Sequence, residues 1–323
     1  LSKINRNDKM KKRYLAIALV ILSFISLFIG VSNISIKDIL AGDSSKVQII
    51  LISRLPRLIS IIIAGMGLSI SGLIMQQISR NKFTSPTTAG TMDSAKMGLM
   101  FAMLFMPKAG VISKAIFSFV FALLGSLIFM TILKKLKVKN IIFVPLVGMM
   151  FGNLVSSITS FISYYKDMNQ SLNAWFQGSF STVMKGNYEL LYLCIPAIIL
   201  AFVYANKFTI AGMGESFSTN LGLNHERIVN IGLILVSAVS ALTLVMVGNI
   251  PFLGLIIPNL VSISKGDNLK NSLVETCLFG GSFVLLCDII GRVIIAPYEV
   301  SIGLTVGVIG SAMFLYLVMR RKK

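Results

Sequence analysis

The sequence predicts an all-α polytopic membrane protein with about ten transmembrane helices. Three observations carry this. Of 323 residues, 55% are hydrophobic and only 13% charged, against roughly a quarter charged in a soluble domain. So few charges could not cover a water-facing surface. Apolar runs long enough to cross roughly 30 Å of hydrocarbon recur along the whole length. Finally, the basic residues sit in short clusters between the runs, as the positive-inside rule requires.

In order, the runs are 14–31, 57–79, 90–107, 111–133, 141–163, 188–206, 228–249, 252–264, 271–295 and 302–319. The first follows Lys9, Lys11, Lys12 and Arg13 and lacks a small-residue cleavage site. It reads as a retained helix behind a short cytoplasmic tail at 1–13, not as a removed signal. The eighth run is short for a span and suits a half-helix or re-entrant piece.

Orientation follows from the linkers. With the N-terminus inside, Arg80 to Lys82, the Lys134 to Lys139 cluster, 207–227, Lys265 to Lys270 and the tail from Arg320 to Lys323 are cytoplasmic, and each carries Lys or Arg. The opposite loops hold few. The exception is 32–56, with Lys37, Lys46 and Arg54, followed by Arg57. Ten spans with both termini cytoplasmic fit best. No soluble domain interrupts the chain, so 1–323 reads as one transmembrane domain.

Small residues recur on helix faces. The fifth run carries Gly148, Gly152, Ser156 and Ser160; the tenth Gly303, Gly307 and Ser311; the second Gly65, Gly67, Ser69, Ser71 and Gly72. Such ladders let helix backbones approach closely in lipid. They also suit a polar path, with Asn153 beside the fifth ladder. Gly67, Ser71, Gln76, Asn153, Ser156, Gly303 and Gly307 are its candidate lining.

Catalytic chemistry is hard to find. There is no G-x-x-x-x-G-K-[ST] loop, no H-E-x-x-H and no nucleophile–base pair, so the chain reads as a non-enzyme that neither hydrolyses ATP nor holds a cofactor. His225 is the single histidine, and Cys194, Cys277 and Cys287 lie in apolar stretches. These suit no metal site and no disulfide framework. The formal charge of +18, dispersed between apolar runs, suits anionic lipid head groups and not nucleic acid.

The ionisable residues at helix ends say more. Asp288 and Arg292 are four apart at the outer end of the ninth run, so they share a face and can pair. Alternatively Arg292 presents its guanidinium to an acidic partner. Arg54 and Arg57 flank Pro56 at the outer start of the second run, where they snorkel to head groups or receive carboxylates. On the inner side, KFTIAGMGESFSTNLGLNHER at 207–227 is polar yet patterned, with a short helix expected after Gly214. A folded cytoplasmic loop is a means of receiving force from another protein; an amphipathic surface loop is the plainer alternative.

Together these segments resemble one family. RLPR (Arg54 to Arg57) followed by AGMGLSISGLIMQQISRN (Ala64 to Asn81) is similar to the opening signature of FecCD-type permeases, subunits of ABC importers for iron-siderophores, haem and cobalamin. The likeness continues in order through GESFSTNLG (Gly214 to Gly222), VGNIPFLGLIIPNLV (Val247 to Val261), CDIIGR (Cys287 to Arg292) and the closing IGLTVGVIGSAMFLYLV.

The resemblance implies the type II ABC importer permease fold in a bacterial cytoplasmic membrane. It implies two permeases, alike or different, around a pore, a cytoplasmic ATPase dimer that uses the ATP, and an extracytoplasmic siderophore-binding protein. It further implies that Arg54, Arg57 and Arg292 receive glutamates of that protein, and that Gly214, Glu215 and Gly222 belong to the segment seated on the ATPase. The family usually reads R-N-P-L-A where this chain has Arg80-Asn81-Lys82-Phe83-Thr84, and P-H where it has Pro258-Asn259. With SPTTAGTMD (Ser85 to Asp93), these departures resemble the branch importing catecholate siderophores. Haem or cobalamin are alternative cargoes. An ion-coupled secondary transporter using Asp288, or a scaffolding membrane subunit, are the remaining alternatives.

Overall fold

The computed structural model describes residues 2–30, 44–108, 110–136, 143–266 and 268–320. Among the described residues, each of the ten apolar runs coincides with helix, and longer non-helical connections occur at 79–90 and 177–188. Of the basic residues used for orientation, Lys37, Lys137, Lys139 and the tail beyond Arg320 lie outside the described residues.

The first helix, α1 (Ser2–Phe28), starts well before its apolar run. The stretch expected as a tail is therefore helical from Ser2, which its Lys and Arg residues favour. Next, α2 (Ser44–Ile49) passes through one wide π turn at Ile50–Arg54 into α3 (Leu55–Ile78). Pro56 lacks an N–H, and its ring crowds the carbonyl one turn earlier; a widened turn relieves that crowding without ending the helix. The chain then forms α4 (Thr91–Phe105), α5 (Val111–Leu136), α6 (Phe143–Tyr165) and the short outer α7 (Asn169–Phe176).

The sixth run is broken. A 3₁₀ turn at Glu189–Leu193 leads into α8 (Cys194–Val203), and α9 (Ala205–Gly212) follows at a bend of 62°. The remaining helices are α10 (Glu215–Asn220), α11 (His225–Val247), α12 (Leu253–Lys265), α13 (Leu269–Val293) and α14 (Ile302–Arg320). The short eighth run is indeed a short helix, entered from Phe252 at φ 62° and carrying Pro258 inside it.

Length separates the helices into groups. Ser44–Ile78 taken as one, α5, α6, α11 and α13 are each long and apolar enough to cross a membrane; the bent pair α8–α9 has the length and composition of a broken span or a re-entrant loop. Shorter apolar helices sit at α12 and α14. Their burial sorts them again. The apolar stretches of α3, α11 and α13 are 83%, 78% and 72% buried, those of α5 and α6 only 33% and 28%. The first three therefore form the centre, and α6 stands at the margin.

Outward faces are apolar, the inverse of a soluble protein: Ile17, Val20, Ile21 and Phe24 on α1, and Met150, Leu154 and Phe161 on α6, are exposed. Because lipid tails are as apolar as these side chains, close packing must hold the centre together. Small residues allow it. A methyl group at Gly72 of α3 would overlap the backbone of Gly254 in α12. Gly65 likewise lies against the backbone of Gly280 and Gly281 in α13.

Residues 176–179 pair with 247–249. Ser179 N–H donates to the Val247 carbonyl at 2.8 Å and Asn249 N–H to that of Phe176 at 3.0 Å. Lys96 of α4 holds α7 in place: its ammonium donates to Asn173 Oδ1 at 3.1 Å and lies 4.4 Å from the centre of the Phe176 ring. A buried lysine is tolerable only with such partners.

Candidate functional site

Two regions gather the polar chemistry, one at each end of the helices. At the end that the charge pattern assigns to the outside, Arg57 near the start of α3 meets residues from α13 and the segment after it. Its Nη2 donates to Asp288 Oδ1 at 2.7 Å, and its Nη1 contacts both carboxylate oxygens of Glu299, at 3.0 and 2.8 Å. Arg292 Nη2 lies 2.7 Å from Asp288 Oδ2, so the pairing expected from the i, i+4 spacing is present. Arg292 also donates to the carbonyls of Ser26 and Ile29 at 3.0 and 2.8 Å. Arg54 Nη1 donates to the Leu27 carbonyl at 2.6 Å.

These contacts share a cause. The last carbonyls of α1 have no partner within their own helix and carry the negative end of its dipole, so two guanidiniums close it. The resemblance assigns Arg54, Arg57 and Arg292 to a docking surface, with pairing to Asp288 the alternative for Arg292. In the structure Arg54 and Arg292 are buried and turned onto α1. The Arg57 side chain keeps 14% exposure and Glu299 25%, while Asp288 keeps 3%. Sequence reasoning missed Glu299 because its partner is far away in sequence and no helical spacing links them.

At the inner end, the short helix expected after Gly214 is α10. Gly214 has φ 115° and ψ 165°, a region that L-residues avoid. The Arg80 guanidinium covers it: a Cβ at Gly214 would stand 3.2 Å from Arg80 Nη1. Gly222, at φ 75°, ends the segment. Ser218 is fully buried; its hydroxyl donates to the Gly214 carbonyl at 2.6 Å and lies 3.2 Å from His225 Nδ1. Glu215, Phe217 and Leu221 are exposed. Phe217 and Leu221, four apart, form an apolar ridge with Met213 beside it. The ridge was legible as i, i+4 spacing once helix was assumed.

A cavity of about 460 Å³ opens beside this end, lined by Gln76, Gln77, Arg80, Asn81, Thr209 and Asn268 among others. Lys82, which also lines it, is bonded by Asn259 of α12. The Asn259 amide donates to the Lys82 carbonyl at 2.8 Å and to that of Leu255 at 2.7 Å. The two departures from the family pattern are thus in contact with one another.

The candidate path residues divide. Gly67 packs on Val239, where a Cβ would lie 2.9 Å from its side chain, and Ser71 is enclosed. Gln76, though buried, lines the inner cavity. On α6, Gly148 and Gly152 pack against the segment at 88–93, whereas Asn153 is open and Ser156 half open. Gly303 and Gly307 of α14 rest on Asn249 and Pro251. Among the described residues, no three of His, Cys, Asp or Glu gather as a metal site. Cys194, Cys277 and Cys287 are buried and free.

An all-helical molecule with an apolar exterior, a buried charge cluster at one end and a presented helix at the other is a polytopic membrane permease. The chain belongs to the FecCD transport family, whose sequence pattern matches residues 18–320. It is 58% identical over 313 residues to the petrobactin import system permease protein YclN of Bacillus subtilis, covering 97% of this chain and 99% of that one. It is 39% identical to the ferric-anguibactin transport system permease protein FatD of Vibrio anguillarum, over 92% of this chain and 95% of that one. A solved structure of a metal-chelate type ABC transporter in an inward-facing conformation superposes with a TM-score of 0.81 at 25% identity. It covers 96% of this chain and 98% of that one.

Proposed function

We propose that this chain is the transmembrane permease of an ATP-driven importer carrying ferric petrobactin, or a closely similar catecholate siderophore, into the cytoplasm. The observation that carries this is 58% identity across 97% of the chain to a petrobactin import permease. The cargo brings its own iron, so the permease needs no iron ligand.

Three partners complete the importer in this reading. A second permease, identical or not, covers the open face of α6, with Asn153 and Ser156 facing the path. A cytoplasmic ATPase pair receives α10, where Phe217 and Leu221 offer an apolar ridge and Glu215 a charge. An extracytoplasmic binding protein docks over Arg57 through a carboxylate, with Arg54 and Arg292 bracing the surface beneath it. Both termini are cytoplasmic in this arrangement, because the basic linkers then lie on the inner side. ATP hydrolysis belongs to the ATPase, and docking and hydrolysis alternately open the path to either side.

The test is uptake of radioactive iron, presented as several siderophores to iron-starved cells with and without the gene. Loss of petrobactin-borne iron alone, restored by the gene, supports the reading. Loss limited to haem or cobalamin transfers the cargo to that class. Uptake that persists without ATP but fails without a proton gradient replaces the importer with an ion-coupled transporter.

A further inference from the structure

We propose that Glu299 is an internal stand-in for the docking partner's carboxylate: it occupies Arg57 in the undocked permease and is displaced when that carboxylate arrives. The inference rests on the docking reading above. It starts from an asymmetry between the two acids of the outer cluster. Asp288 is held on α13, is almost fully enclosed, and contacts both Arg57 and Arg292. Glu299 stands on the non-helical segment 294–301, is the more exposed acid, and contacts Arg57 from outside.

The contact geometry makes Glu299 replaceable. Both its oxygens share the single Nη1 of Arg57, at 3.0 and 2.8 Å. That is not the parallel two-nitrogen arrangement that makes arginine–carboxylate pairs strong. A partly exposed pair of this kind contributes little, because water and salt compete for both ends. Exchanging it leaves the Asp288 contact on Nη2 intact, so Arg57 stays in place throughout. Two carboxylates at one nitrogen repel each other, so occupancy is exclusive.

There is also room for the exchange. A cavity of about 520 Å³ lies beside Glu299, bounded by Phe28, Gly30, Arg292 and Pro297 among others. Behind it, Val300 N–H donates to the Gly291 carbonyl at 3.0 Å. The backbone is therefore pinned just after Glu299, and the swing is confined to the side chain and the residues before it. Occupied by Glu299, the cluster is a balanced set of two guanidiniums and two carboxylates. It then offers no bare cation to the wrong anion.

The experiment uses the assembled permease–ATPase complex in lipid nanodiscs, titrated with the binding protein of the same importer at low and physiological salt. Glu299→Gln and Glu299→Ala should each tighten docking about two- to fivefold, the range of a partly exposed ion pair, with the larger gain at low salt. Arg57→Ala should weaken docking. If Arg57→Ala weakens it while both Glu299 variants leave it unchanged or weaker, the docking site stands and the stand-in falls. If Arg57→Ala leaves docking unchanged, the docking reading fails and the stand-in with it.

Discussion

The side-chain amide of Asn259 donates to the backbone carbonyl of Lys82 at 2.8 Å, tying the middle of α12 to the turn that follows α3. This carbonyl lies beside the inner cavity and needs a donor. Asn259→Ala should cost about 1–3 kcal/mol, the usual penalty for a buried acceptor left without its donor. Asn259→His keeps a ring N–H in reach and should recover much of it. Thermal unfolding of the purified permease in detergent checks this; equal losses for both variants would remove the hydrogen bond as the cause.

Asp288 bridges two guanidiniums, with 2.7 Å contacts to Arg57 and Arg292. Asp288→Asn leaves the buried Arg292 without its carboxylate and Arg57 with Glu299 alone. The loss should be about 3–5 kcal/mol, enough to deplete the protein from the membrane. Accumulation in the membrane fraction is the measurement. A double variant, Asp288→Asn with Arg292→Met, should recover part of it by removing one uncompensated cation.

Gly72 and Gly254 let α3 and α12 touch backbone to backbone. Gly72→Ala should destabilise by about 1–3 kcal/mol, the range for overpacking a close-packed interior, because the obstacle is backbone and not a movable side chain. A melting temperature equal to wild type would show that the helices can separate freely.

The proposed seating of α10 on the ATPase can be tested apart from stability. Phe217→Ala with Leu221→Ala removes the exposed ridge but leaves Ser218 and its hydrogen bonds inside. ATPase co-purification should fall several-fold while the permease itself melts normally, since hot spots at interfaces are typically a few large apolar side chains. Gly214→Ala forces a Cβ into a glycine-only backbone region at about 1–3 kcal/mol of strain, and should separate ATP hydrolysis from uptake. Normal uptake and hydrolysis in every one of these variants would remove α10 as the coupling element.

Asn153 and Ser156 stand on the open side of α6. Replacing both with leucine should reduce siderophore uptake at least tenfold if they face the path, while assembly and docking persist. Unchanged uptake would assign this face to lipid.

Much of this protein was legible in its sequence, because the bilayer leaves a chain so few options. A segment in hydrocarbon must satisfy its backbone groups internally, so each apolar run had to become helix, and each did. Short-range relations were legible for the same reason. Asp288 and Arg292 pair because 3.6 residues per turn puts them on one face, and Gly214 precedes a helix because glycine permits the turn that starts it. What depended on tertiary structure was every relation across the fold: Glu299 on Arg57, Asn259 on Lys82, and the division of one small-residue ladder into the packed Gly148 and Gly152 and the half-open Ser156, with Asn153 open beside it. The burial of Arg54 and Arg292 belongs here too. Composition and spacing state that a cation lies near a helix end; they do not state which carbonyls or carboxylates other helices bring to meet it. In lipid all outward faces look alike to the sequence, so only the packing of α3, α11 and α13 at the centre decides which polar side chains turn inward and which remain for a partner.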